Sequence, residues 1–163
     1  MKYDFDQPVN RRGTNCVKWD EHEDVIPLWV ADMDFRVAPA IQKAVEQRAA
    51  QGIYGYTLVP EAYYQSVISW FHRRHNWDIR RADMLYTTGV VPAVSCVIKA
   101  LTLPGEKVLV LTPVYNCFFS SIRNNGCEVL ESELEVRGAR YEVNWQDFEE
   151  KCADEKTSVF LLC

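Results

Sequence analysis

Residues 87 to 94, TTGVVPAV, place a glycine at the opening of a turn and a proline three residues later. A glycine there lets the backbone approach a ligand closely. Free N–H groups at 89 to 91, leading into a helix N-terminus, would form a cradle for phosphate. The stretch has neither the G-x-G-x-x-G pattern nor G-K-[ST], so an ordinary tight turn stands beside the cradle as a reading. A second turn, LTPVYNCF at 111 to 118, carries Tyr115, whose ring can lie flat on a planar ligand or pack as an ordinary aromatic. Asp32 and Asp34, in PLWVADMDF at 27 to 35, share one face of an extended segment. Such a carboxylate pair can do general acid–base work. With no second catalytic group beside it, hydrogen bonding to local backbone is the favoured reading. Tyr54 and Tyr56, set between the glycines and threonine of GIYGYT at 52 to 57, offer phenols that donate to an anion or simply pack.

The remaining reactive side chains form no pattern. Cysteines at 16, 96, 117, 127, 152 and 163 include no C-x-x-C pair and no histidine at zinc-ligand spacing, so they read as reduced core thiols and no metal site is expected. His22, His72 and His75 lack a partnered Cys or Ser nearby in sequence. Helix-surface or capping roles suit them.

The elements that must position these residues fall into two stretches. Residues 1 to 37 show little periodicity and read as an extended arm. A helix starts at Pro39, with Ile41, Ala44, Val45, Arg48 and Ala49 along one stripe and Gly52 as its stop. A second, at 61 to 75, repeats Tyr64, Val67, Ile68 and Phe71 at helical spacing. The turn-rich WDIRRAD follows. From Met84 strands and helices alternate: MLYTT as a strand, a helix from Pro92 to the LPGE punctuation at 103 to 106, and KVLVLT as a strand buried on both faces. Next come a helix through CFFSSIRNN ended by Gly126, and CEVLE as a strand. After a polar excursion around Gly138 there is a short helix capped by Asn144 with Asp147 three residues on, and SVFLLC at 158 to 163 as a buried strand. This β-α-β-α-β series predicts a mostly parallel sheet flanked by helices, with ligands at the strand ends.

Composition sets the outer bounds. The 48% hydrophobic and 25% charged content suits a globular domain, and the net charge of −5 with basic residues scattered in pairs argues against a nucleic-acid partner. No apolar stretch reaches membrane-spanning length and MKYDFDQPVNRRG lacks a signal-peptide core, so a cytoplasmic setting is expected.

Taken together and in order, FDQPVNRRGTNCVKWD at 5 to 20, PLWVADMDF, GIYGYT, GVVPAV and TPVY resemble the MalY/PatB group of cystathionine β-lyases. These are pyridoxal-phosphate enzymes of the class I/II aminotransferase superfamily, of fold type I. The resemblance implies that this chain is the N-terminal part of such an α/β fold: 1–37 as arm and small-domain segment, 38–163 as the first part of the cofactor-binding large domain. It implies that Gly89, Val90 and Val91 hold the cofactor phosphate and that Tyr115 stacks on its ring. Tyr56 would reach the phosphate of the partner subunit's cofactor in a homodimer, and the segment from Ala31 and Asp32 to Asp34 would lie near the substrate's carboxylate. The implied activity is β-elimination from cystathionine or cysteine to a thiol or sulfide, pyruvate and ammonia. An aminotransferase of the same superfamily and a truncated, non-catalytic paralogue are the alternatives.

The resemblance also implies what lies beyond Cys163: an Asn-Pro motif, the Asp for the ring nitrogen, the Schiff-base lysine and a carboxylate-binding Arg. None of the seven lysines, at 2, 18, 43, 99, 107, 151 and 156, falls where the family keeps the Schiff-base residue. The expectation is therefore a portion of a larger whole, inactive and not a stable monomer alone, whose strand at 84 to 88 lacks a neighbour.

Overall fold

Asp20 organises the start of the chain. In the computed structural model, which describes residues 3–163, its carboxylate accepts hydrogen bonds from the N–H groups of Gly13 (2.8 Å), Thr14 (3.1 Å) and Cys16 (3.0 Å). Those donors, Gly13 foremost, hold the Asp20 carboxyl below its ordinary value. The wrapped loop leads into a one-turn helix, α1 (Val17–Asp20), within the stretch expected to be wholly extended. Helix α2 (Pro39–Ala49) begins at a proline, whose missing N–H costs nothing in the first turn. Its stripe of Ile41, Ala44 and Val45 forms as expected and lies exposed within its unit. The chain divides into two compact units, one up to Leu58 and the other from Val59 onward.

The second unit opens with α3 (Glu61–His75). Asn76 ends it in the left-handed region, φ 49°, and Trp77 N–H reaches back to the Phe71 carbonyl at 3.3 Å. Tyr64 is buried on its inner face beneath the Arg81 guanidinium, 3.4 Å from the ring centroid. After a single 3-10 turn at Arg81–Asp83 comes α4 (Val90–Leu101), starting two residues before Pro92. Then follow β1 (Lys107–Thr112), α5 (Cys117–Asn124), β2 (Glu128–Glu133), β3 (Glu135–Arg137), β4 (Arg140–Glu142), α6 (Trp145–Cys152) and β5 (Thr157–Leu161).

Strand β1 is the centre of a three-stranded parallel sheet of order β2-β1-β5. Val108 faces Val129 on one side and Val159 on the other. Val108 and Val110 join Ile98 of α4, Ile122 of α5 and Cys127 in the core. Leu109 points to the opposite face, in register with Leu130 and Phe160, where α6 packs and Phe148 meets Phe160 edge-on at 5.1 Å. Helices on both faces explain why KVLVLT has no polar alternation. Gly126 follows α5 at φ +77°, where a side chain would also press on Pro104 at 3.4 Å. Asn144 caps α6 as expected, accepting from the Asp147 N–H at 3.1 Å. The Asp147 carboxylate does not return the bond: it accepts from Lys151 and from the buried Ser132 hydroxyl at 2.6 Å.

Four expectations are corrected. Residues 84 to 88 form no strand: Met84 is extended (φ −110°, ψ 120°), but the stretch pairs with no strand and Leu85 is 93% exposed. The polar excursion is a hairpin, β3 antiparallel to β4, with Val136 opposite Tyr141. SVFLLC is not fully buried: β5 is an edge strand whose Val159 and Leu161 pack against the core while Ser158 and Phe160, on the other face, are exposed. Of the six free cysteines only Cys127 is in the core, while Cys96, Cys152 and Cys163 are exposed. Among the described residues no helix is long and apolar enough to cross a membrane.

Candidate functional site

The cradle is built by the start of α4. Gly89 is its N-cap, with φ 166° and ψ 170°, extended backbone open to any residue, and no side chain caps the helix. A Cβ added there would meet only Pro92 Cδ at 3.6 Å, an ordinary contact. Neither backbone nor packing demands a glycine; the missing side chain leaves the helix start bare. The first intrahelical bond runs from Ala93 N–H to the Gly89 carbonyl at 3.1 Å, and the Thr87 hydroxyl donates to the same carbonyl at 3.2 Å. The N–H groups of Gly89, Val90 and Val91 find no acceptor among the described residues. Pro92, the next residue, has no N–H to satisfy. Three adjacent donors at the positive end of a helix fit a phosphate in charge and geometry.

Tyr115 stands just before α5, which packs against α4. The Phe118 ring packs against it in a T-shaped arrangement with centroids 5.8 Å apart, and half of the residue is exposed. The Cys117 thiol pushes the Tyr115 hydroxyl above its ordinary value, so the phenol stays neutral at physiological pH. A larger concavity, of about 900 Å³, lies among Thr112, Glu131, Glu133, Glu135, Asp147 and Lys151. Its carboxylates make it unfavourable for a phosphate.

In the first unit, Asp32 and Asp34 are held by side chains, which corrects the expectation of local backbone partners. Arg11 forks across the pair, with Nη2 to Asp32 Oδ2 at 2.6 Å and Nη1 to Asp34 Oδ1 at 2.7 Å. Lys18, only 7% exposed, donates to Asp34 Oδ2 at 2.8 Å and to the Asp32 carbonyl at 2.9 Å. The Trp19 indole N–H adds a bond to Asp34 Oδ1 at 2.7 Å. Lys18, then Trp19 and Arg11, hold the Asp34 carboxyl far below the usual carboxylate range. A carboxylate so placed cannot serve as a general base near neutral pH. Arg11 and Lys18 were not singled out as site residues from sequence, although both lie in FDQPVNRRGTNCVKWD. Asp32, a member of this cluster, and its neighbour Ala31 are exposed, and Tyr56 lies in the fully exposed GIYGYT loop. The histidines match their surface reading, with His72 Nδ1 2.7 Å from Asp78 Oδ1.

Gly89, Val90, Val91 and Tyr115 belong to the second unit, and Ala31, Asp32 and Tyr56 to the first. Three lysines are engaged by carboxylates: Lys18 as above, Lys107 with Asp154, and Lys151 with Asp147. Among the described residues no cluster of His, Cys, Asp and Glu suits a metal ion.

Residues 23–163 match the family model for aminotransferase class I and II. The chain is 36% identical to cystathionine β-lyase PatB of Bacillus subtilis (strain 168), over 98% of its own length and 43% of PatB. It is 30% identical to protein MalY of Escherichia coli (strain K12), over 99% of its length and 43% of MalY. Among solved structures, cystalysin from Treponema denticola, which contains pyridoxal 5′-phosphate, superimposes with a TM-score of 0.88 at 33% identity, over 98% of this chain and 43% of cystalysin. The chain thus spans less than half the length of the relatives it matches.

Proposed function

The chain belongs to the class I and II aminotransferase family, and from that premise we propose that it is the N-terminal portion of a pyridoxal-phosphate-dependent C–S β-lyase. The observation that carries this reading is the bare helix start of α4, where Gly89, Val90 and Val91 present three unpartnered N–H groups. PatB, a cystathionine β-lyase, supports the choice of reaction.

In this reading the N–H groups of Gly89, Val90 and Val91 hold the cofactor phosphate, and the half-exposed Tyr115 ring lies on the cofactor ring. Bound there, pyridoxal phosphate supplies an electron sink for the substrate's α-carbon. Ala31 and Asp32 belong to the segment beside the substrate's carboxylate. Tyr56 reaches the cofactor phosphate of the second subunit of a homodimer. The α-carbon gives up its proton and its electrons form a double bond to the β-carbon as the β-carbon–sulfur bond breaks; the sulfur leaves with its bonding electrons and takes a proton, and water converts the three-carbon enamine into pyruvate and ammonia. Substrates are cystathionine or cysteine.

The same reading puts the lysine that bonds the cofactor, the acid for its ring nitrogen and the carboxylate-binding arginine in a part of the protein that these 163 residues do not include. The 163-residue chain alone is therefore inactive in this reading, with residues 1–37 as arm and 38–163 as the first part of the large domain. A cytoplasmic setting fits six free thiols. The family also contains aminotransferases, and one experiment separates the two activities. The full-length holoprotein is incubated with cystathionine alone, then with an amino acid plus a keto acid. Pyruvate and ammonia released without a keto acid establish the lyase; product formation only with the keto acid establishes an aminotransferase.

A further inference from the structure

The cluster around Asp32 and Asp34 separates its donors from its acceptors. Both carboxylates are engaged, as are the carbonyls of Asp32, by Lys18 at 2.9 Å, and Met33, by Arg11 at 3.3 Å. The N–H groups of Ala31, Asp32, Met33 and Asp34 find no acceptor among the described residues. Unpartnered donors on a largely exposed segment are open to an anion. Two ionised carboxylates beside those donors would repel one, yet Arg11 and Lys18 bring two positive charges into direct contact with them. The formal charge of the four side chains is zero.

Resting on the reading that this segment faces the substrate, we propose that Arg11 and Lys18 are positioning residues for the substrate's α-carboxylate. They cancel the charges of Asp32 and Asp34 and hold the 31–34 backbone in place through the Asp32 and Met33 carbonyls. Neither cation touches the substrate. Lys18 is too buried to reach one, and both forks of Arg11 are occupied by the aspartates.

Charge compensation makes a signed prediction that a merely structural clamp does not. Lys18→Met leaves one negative charge uncompensated and raises KM by about tenfold, the effect of one charge a few ångströms away in partly solvated surroundings, with kcat little changed. Asp32→Asn removes a negative charge while keeping the side chain's shape, and lowers KM. Lys18→Arg restores the charge and most of the affinity. The same variants leave KM for the substrate's neutral carboxamide unaltered. Equal KM changes for acid and amide, or a raised KM in Asp32→Asn, would overturn the proposal. If Lys18→Met fails to fold, Asp32→Asn on its exposed carboxylate still decides by the sign of its effect.

A second readout does not need turnover. Titrating the ¹⁵N-labelled holoprotein with propionate should shift the amide resonances of Ala31 to Asp34, more strongly in Asp32→Asn and less in Lys18→Met than in the wild type. No shift at those amides overturns the inference. Shifts without any β-elimination leave the inference standing and refute the lyase reading instead.

Discussion

Replacing Val90 by proline removes one cradle donor and almost nothing else. Val90 is the first residue of α4, where proline is favoured because that N–H has no intrahelical partner. Gly89 before it is already extended, as a residue preceding proline must be. The Val90 side chain is largely exposed, so little packing is lost. What disappears is one hydrogen bond to a charged phosphate, about 1.5 to 3 kcal/mol. That predicts a rise of about 10- to 150-fold in the dissociation constant for pyridoxal phosphate. The assay is an absorbance or calorimetric titration of apoprotein with the cofactor, with Val90→Ala as control and circular dichroism to verify the helix. Wild-type affinity in a correctly folded Val90→Pro protein would refute the cradle.

Three further outcomes follow from the same structure. Tyr115→Phe should bind the cofactor nearly as wild type, whereas Tyr115→Ala should weaken it by about tenfold in the same titration, since the ring face and not the hydroxyl makes the contact. Ile122→Ala, at a fully buried position between α5 and β1, should destabilise the second unit by about 2 to 5 kcal/mol in urea unfolding of the holoprotein. The Asp34 carboxyl lies lower in the folded chain than its ordinary value near 4, so its stabilising effect is complete above that value and is lost as pH falls through the folded value. Acid titration of tryptophan fluorescence should show the Trp19 environment persisting through the ordinary carboxylate range and failing below it. Asp34→Asn should remove that pH dependence.

Periodicity carried most of the second unit. KVLVLT, the α5 stretch with Gly126, and the Asn144 cap are each decided by neighbours in sequence, and each lies where that local chemistry puts it. The expectations that failed depend on partners. MLYTT has β-forming residues at 84 to 88, yet a strand exists only against another strand, and none borders it. The β3–β4 hairpin has charged, exposed side chains, so its ladder left no hydrophobic alternation to read. The start of α4 was legible because glycine, two apolar residues and proline mark a helix start locally. The clamp on Asp32 and Asp34 was not: Arg11 lies 21 and 23 residues from its partners and Lys18 lies 16 from Asp34, separations at which spacing says nothing about contact.

The central claim is that this chain holds a pyridoxal phosphate by its phosphate at the start of α4. A crystal structure of the holoprotein grown with the cofactor tests it most directly. The account predicts phosphate oxygens within hydrogen-bond distance of the Gly89, Val90 and Val91 N–H groups, with the pyridine ring against the face of Tyr115. A phosphate bound elsewhere, with those three donors still facing solvent, would contradict it.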